Sequence, residues 1–224
     1  MSLNQPDPIH QHQHSPERVI SRGRWLLTAL TWILLLVLAL LILRQDMPTA
    51  TTLIDRRNPQ IGPKDAPVTI VEFGDYGCSS CRIWAGAGMR QQLLNKYGSK
   101  VRFVWADFPV ITLESPKAAE AGRCAYDQDR FWEYQDYLYN HYQGIDSGFL
   151  KYYAGRIGLD QAIFDQCLDS GVKEPEVSLD FRDAMLRSLG ATPTFLINDQ
   201  VEIIGMASLD KFAAVIDPLL AGAR

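Results

Sequence analysis

A chain of 224 residues, 47% apolar and 21% charged, is ordinary globular material with room for one substantial core. Its net charge of −4 and pI near 5.6 exclude the concentrated basic surface that nucleic-acid binding needs. Four cysteines, at 78, 81, 124 and 167, are too few for a disulfide-built scaffold, although an even number suits an oxidising compartment.

The N-terminal tail, residues 1–24, carries His10, His12 and His14 in "IHQHQHSP". No second ligand cluster accompanies them, so the stretch reads as polar tail rather than a metal site. "WLLTALTWILLLVLALLIL", residues 25–43, is uncharged and at ~1.5 Å per residue reaches just under ~30 Å, about one hydrocarbon core. Arg18, Arg22 and Arg24 precede it, and only Arg44 follows closely, beside Asp46. The positive-inside bias predicts a single-pass anchor in the cell membrane, with a cytoplasmic N-terminus and an extracytoplasmic remainder. A cleaved signal peptide is the competing reading, but this apolar run is longer than usual and "LILRQDMPTA" is a poor cleavage site. Residues 44–60 are polar and aperiodic and read as a linker.

Beyond the linker the pattern alternates. "VTIVEF" (68–73) is a short, β-branched apolar run, as a strand buried on both faces would be. Residues 81–98 have helical spacing through Ile83, Trp84, Met89, Leu93 and Leu94, with Gly98 as C-cap. "VRFVWADF" (101–108) is a second strand, stopped by Pro109, so strand, helix, strand predicts a right-handed βαβ unit. Residues 115–189 read as four or five helices, the first opened by Ser115 as N-cap and Pro116 at its first position. "TPTFLIND" and "VEIIG" form an antiparallel hairpin across "NDQ". A last helix over 208–223 is capped by Ser208 and is kinked or broken by Pro218. The expected architecture is an α/β domain, residues 61–114 and 190–224, carrying a helical insertion, 115–189.

Two thiols stand one helical turn apart in "GDYGCSSCR". A metal clip, a structural disulfide and a redox-active dithiol are the three physical explanations. A tetrahedral metal site needs about four ligands, and outside the tail the only histidine is His141. Cys78 falls after a strand and at a helix start, where unpaired N–H groups and the helix dipole stabilise a thiolate. Cys81, on the same helical face, is placed to close a disulfide with it or to resolve a mixed one. The pattern favours redox chemistry. Glu72, six residues before Cys78 and inside an apolar strand, is either a buried acid that exchanges a proton with Cys81 or a solvated residue facing an edge. Pro193 lies between two threonines just before a strand. The aromatic run Phe131, Trp132, Tyr134, Tyr137, Tyr139 and Tyr142 is read as core of the insertion rather than as a peptide-binding surface.

Together "DAPVTIVEFGDYGCSSCR", "ADFPV", "AAEAGRCAYDQDRFWEYQDYLY", "FDQCLDSG" and "GATPTFLIN" resemble the membrane-anchored DsbA-like thiol–disulfide oxidoreductases, over about residues 60 to 222. The resemblance implies a thioredoxin-like fold with an inserted helical domain. It makes Cys78 the nucleophile, Cys81 the resolving thiol, Glu72 the buried acid and Pro193 a cis proline. It gives Thr192 backbone contacts to a bound peptide, with Ser79 and Ser80 beside the same site. The implied activity is dithiol–disulfide exchange in exported proteins, with disulfide formation as the expected direction and a quinone-linked membrane protein as redox partner. The alternatives are a reductase or isomerase of the same fold, or a non-enzymatic module binding copper or a client through the same sulfurs. Strong oxidants of the family often carry Pro and His between the cysteines, and the two serines here predict a weaker thiolate and a less oxidising disulfide. Cys124 and Cys167, on separate predicted helices, are expected to form a structural disulfide, the alternative being two buried free thiols. No dinucleotide fingerprint or phosphate loop is present, so no cofactor or metal is expected, and the lack of a dimerisation domain favours a monomer.

Overall fold

The computed structural model describes residues 30–38 and 58–222. Residues 30–38 form a helical segment. Among the described residues no helix is long and apolar enough to cross a membrane. The expected span over 25–43 lies only in part within those residues, and the histidine tail and most of the linker lie outside them.

The folded unit is built on five strands: β1 (Gln60–Ile61), β2 (Val68–Gly74), β3 (Val101–Asp107), β4 (Thr194–Ile197) and β5 (Val201–Ile204). They lie in the order β1-β3-β2-β4-β5. β2 and β3 are parallel, in the register Val68 to Val101 through Gly74 to Asp107, as the βαβ reading requires. β1, β4 and β5 each pair antiparallel with their neighbours. The predicted hairpin is present, and Asn198 and Asp199 turn it at positive φ, which short polar side chains tolerate.

β2 and β3 are nearly continuous apolar runs because both faces of the sheet are covered. On one face Ile70, Phe103 and Phe195 pack with Trp84, Leu93 and Phe212, which come from α1 (Ser79–Gly86), α2 (Met89–Tyr97) and the last helix, α8 (Leu209–Gly222). On the other, Val71, Phe73, Val104 and Ala106 pack with Ala184 and Leu189. Ala184 belongs to α7 (Glu174–Leu186), so the last helix of the 115–189 block lies on the sheet itself. The others, α3 (Ser115–Tyr126), α4 (Phe131–Asn140), α5 (Ser147–Arg156) and α6 (Gln161–Ser170), share a core that includes Cys81, Tyr134, Tyr153 and Phe164. Phe131, Tyr134 and Tyr139 of the aromatic run are buried in that core.

Four local expectations change. The helix predicted over 81–98 is two helices, because Gly86 and Gly88 are poor helix formers and Gly88 adopts φ 67° between them; Gly98 does cap the second. Ser115 is the first residue of α3 rather than its N-cap, which is Glu114; its hydroxyl instead accepts from the Thr112 amide at 3.1 Å. Pro218 removes one backbone donor, yet α8 continues to Gly222. Ordered structure also begins before the expected end of the linker: Asn58 is fully buried and Gln60 opens β1.

Candidate active site

β2 delivers the chain to a tight turn, Asp75-Tyr76-Gly77, closed by the Cys78 amide donating to the Asp75 carbonyl at 3.1 Å. Cys78 is then the N-cap of α1, in extended geometry (φ −78°, ψ 120°), and its carbonyl accepts the first helical bond from Arg82. Its sulfur therefore sits over the free N–H groups of the first helical turn. Both cysteines are free thiols and buried, Cys78 with a residual 6% exposure and Cys81 with none.

The two thiols are driven in opposite directions. Cys78 is pulled down to about 5, foremost by a hydrogen bond from the Cys81 thiol. Desolvation opposes this, and the Thr192 side chain and the backbone amides of Cys81 and Ser80 reinforce it. Cys81 is pushed well above the ordinary thiol range by burial, by its bond to Cys78 and by the nearby Glu72 and Cys78 charges. At neutral pH the pair is one thiolate and one thiol sharing a proton.

The loop before β4 closes the site from the other side. The Thr192–Pro193 peptide is cis, and the Thr192 carbonyl accepts from the Cys78 sulfur at 3.2 Å when that thiol is protonated. The Thr192 hydroxyl is buried and has no other partner among the described residues, which leaves it for the thiolate. The Pro193 carbonyl in turn accepts from the Gly205 amide at 2.8 Å, tying the loop to the end of β5. Ser79 is exposed and Ser80 half-buried.

Beneath the thiols, Glu72 lies in the central strand β2 at 2% exposure, so the solvated, edge-facing alternative does not hold. Burial pushes its carboxyl up to about 8; Arg90 pulls it down, and Cys78 and Asp136 push it up. Its Oε1 has no hydrogen-bond partner among the described residues. Arg90 is itself held by Asp136, at 2.7 Å to both oxygens, and by Gln135 Oε1 at 2.8 Å, and it stacks over Trp132. At neutral pH Glu72 is thus largely a protonated acid.

Cys124 and Cys167 form a disulfide between α3 and α6, with Cα atoms 5.9 Å apart. Two further arrangements escaped the sequence reading. Arg123, fully buried, pairs with Asp107 at 2.6 Å and with Asp180, and Asn58 donates to Asp180 at 2.6 Å. Asp75, in the turn before Cys78, accepts three backbone N–H groups through its carboxylate. The one signal for Asp75 was its place in "GDYG", an aspartate and two glycines between a strand and a helix.

The family model described as thioredoxin matches residues 55–218. Among curated proteins, the Na(+)/H(+) antiporter NhaA 1 of Salinispora arenicola is 33% identical over 165 residues, covering 73% of this chain and 25% of the antiporter. NhaA 3 of Salinispora tropica is 32% identical over 162 residues, 68% of this chain and 24% of that protein. The chain thus spans about a quarter of the length of these relatives. Among solved structures, oxidised BdbD from Bacillus subtilis is 25% identical with a TM-score of 0.67, over 74% of this chain and 94% of BdbD. The thiol-disulfide exchange protein alpha-DsbA2 from Wolbachia pipientis superposes at 0.66 and 22% identity, over 74% of this chain and 88% of that one. A thioredoxin-like oxidoreductase from Silicibacter pomeroyi does so at 0.66 and 21%, over 73% and 92%. With its family model matched across the whole sheet and its Cys78–Cys81 pair at the head of α1, the chain belongs to the thioredoxin family and has the fold of the DsbA-like thiol–disulfide oxidoreductases.

Proposed function

We propose that the protein is an extracytoplasmic thiol–disulfide oxidoreductase that forms disulfides in exported proteins. The observation that carries this reading is the geometry of the pair: Cys78 caps α1 with its sulfur 3.2 Å from the Thr192 carbonyl, and Cys81 and Glu72 are buried behind it, which pulls the Cys78 thiol down and pushes the other two groups up. In the oxidised protein a substrate thiolate attacks the Cys78 sulfur, forming a mixed disulfide and breaking the Cys78–Cys81 bond. Cys81 departs as a strongly basic thiolate and takes a proton from Glu72. A second substrate thiolate attacks the substrate's own sulfur in the mixed disulfide, and Cys78 leaves as a stable thiolate, the better leaving group for its low pKa. The substrate loses two electrons and the cysteine pair gains them. Reoxidation passes those electrons to a membrane redox partner, by family resemblance a quinone-linked protein. The residues 25–43 would anchor the chain beside it, and the Cys124–Cys167 disulfide suits the oxidising side of the membrane.

The test uses the full-length chain with glutathione disulfide as oxidant and a reduced, unfolded secreted protein as substrate. Catalysed appearance of disulfides that is lost in Cys78→Ser is the expected result. A Cys78→Ser variant with undiminished exchange would overturn the assignment.

A further inference from the structure

Arg82 follows Cys78 by one helical turn, and its amide donates the first helical bond to the Cys78 carbonyl at 3.2 Å. The two side chains therefore rise from the same face of α1, and a long side chain at the later position leans back towards the helix start. Arg82 does so: Nη1 donates to the Gly77 carbonyl at 3.3 Å, on the residue that immediately precedes Cys78. The guanidinium also lies 3.7 Å above the ring of Tyr142, from the segment that follows α4. The cation is thus pinned between the active-site turn and the helical block, beside the peptide bond that leads into Cys78.

Other arginines of the folded unit have an anion. Arg90, Arg123, Arg130 and Arg187 each pair with a carboxylate. Among the described residues no carboxylate lies within ion-pair distance of Arg82, whose partners are a carbonyl and an aromatic face. The acid of the same turn, Asp75, is 1% exposed, and its two oxygens are taken by the amides of Gly77, Val110 and Ile111. The bonds that hold the Cys78 thiolate down come from Cys81, Thr192 and the amides of Cys81 and Ser80. Arg82 is half-buried and stays charged at every pH at which thiols react. Its charge therefore acts on whatever approaches the Cys78 sulfur within a Debye length of ~8–10 Å.

We infer that Arg82 is a specificity-determining residue whose charge draws anionic thiols to Cys78, so that substrate cysteines with acidic neighbours react faster than those without. The inference rests on the exchange activity proposed above. In the step concerned, the substrate thiolate bonds to Cys78 Sγ, the Cys78–Cys81 bond breaks, and Cys81 takes a proton from Glu72. The acidic neighbours take no part in these bond changes; the attraction of Arg82 raises the rate of encounter.

Two short peptides test this, each with one cysteine, flanked on both sides by glutamate in one and by glutamine in the other. The measured quantity is the ratio of the second-order rates, per peptide thiolate, at which the two reduce the oxidised full-length protein at low ionic strength. That ratio does not depend on the fraction of protein folded, and comparing it between wild type and Arg82→Gln cancels the peptides' own difference in nucleophilicity. The wild-type ratio is expected to exceed that of Arg82→Gln by about fivefold, and the excess to shrink to under about twofold near 0.5 M salt. Arg82→Lys keeps the charge but not the planar fork that rests on Gly77 and Tyr142, and its ratio falls between. Should Arg82→Gln fail to fold, Arg82→Met, which keeps the aliphatic stem, takes its place. Equal ratios in wild type and a folded neutral variant overturn the inference, as does an excess that salt leaves unchanged. A wild-type protein inert to both peptides and to reduced glutathione overturns the exchange activity, and the inference with it.

Discussion

Glu72 shows at the residue scale how one buried acid ties stability to chemistry. Its ordinary value is 4.5 and its folded value about 8. The folded state therefore binds the extra proton between those limits. Its favourable contribution is complete below about 4.5 and is lost as pH rises through 8, where the carboxylate has to ionise without water. Replacing it by the neutral Gln removes that loss. Glu72→Gln is thus expected to gain stability on wild type from pH 5 to pH 8.5, by a few kcal/mol at the upper end. Urea unfolding at the two pH values measures this, and an equal difference at both would refute the burial argument. The same variant should slow reduction of the Cys78–Cys81 disulfide by about tenfold or more, since Cys81 loses its proton donor. Cys78 has the opposite sign. Its folded value of about 5 lies below the ordinary 9, so it stabilises the reduced protein in full above that ordinary value, and the contribution is lost as pH falls through 5. The rate of Cys78 alkylation by iodoacetamide against pH should accordingly have its midpoint near 5; a midpoint near 8.5 would mean the helix start and Cys81 do not stabilise the thiolate. Both residues were legible in the sequence because each breaks a local rule, a carboxylate in an apolar strand and two thiols at a helix start. What spacing alone left open for Glu72 was whether β2 lies at the edge or the centre of the sheet, and that is decided by β3 and β4 pairing on its two sides.

Among the elements, periodicity identified most strands and helices, while the bonds that fasten them together left no local trace. Arg123 on α3 meets Asp107 at the end of β3 and Asp180 on α7, and Asn58 from the start of the folded unit joins Asp180 and the Trp105 carbonyl. Asn58 and Asp180 are 122 positions apart, so no repeat or spacing links them. Burial pushes Asp180 up to about 6 against the pull of Arg123, which records how dry the cluster is. Arg123→Met would leave two aspartates facing each other with no counter-charge, a loss of ~3–5 kcal/mol of unfolding free energy. Equilibrium denaturation would show it, and a loss under 1 kcal/mol would mean that water reaches the cluster. The start of β1 went unread for the same reason. A two-residue strand preceded by one buried Asn has no pattern to detect until β3 is there to pair with it. The Cys124–Cys167 bond joins α3 to α6 across a separation of 43 residues. Removing it by Cys124→Ala/Cys167→Ala should cost ~4 kcal/mol in the chain-entropy model.

For the whole molecule, what stabilises the Cys78 thiolate sets how oxidising the Cys78–Cys81 disulfide is. The two serines between the cysteines predict a thiolate weaker than in the strong oxidants of the family, because neither brings a charge. The donors that hold Cys78 down are instead the Cys81 thiol, Thr192 and the backbone amides of Cys81 and Ser80. The two amides belong to the helix start and are present whatever side chains occupy positions 79 and 80. Thr192 comes from a loop more than a hundred residues away, delivered by the pairing of β4 with β2. Stabilising the thiolate stabilises the reduced protein and makes its disulfide the stronger oxidant. Nucleophile values of ~7 in thioredoxin and ~3.5 in DsbA accompany potentials of ~−270 and ~−120 mV. A value of about 5 lies between them. The Cys78–Cys81 couple is therefore expected to be more oxidising than thioredoxin and less so than DsbA. Equilibrating the full-length chain with glutathione buffers, and quantifying free Cys78 and Cys81 by alkylation, measures this directly. A potential well above thioredoxin's ~−270 mV, towards that of DsbA, makes the protein a net disulfide donor to unfolded exported chains. A potential at or below −260 mV would show that backbone amides and Thr192 do not replace a charged neighbour, and the same site would run as a reductase fed by a membrane electron donor.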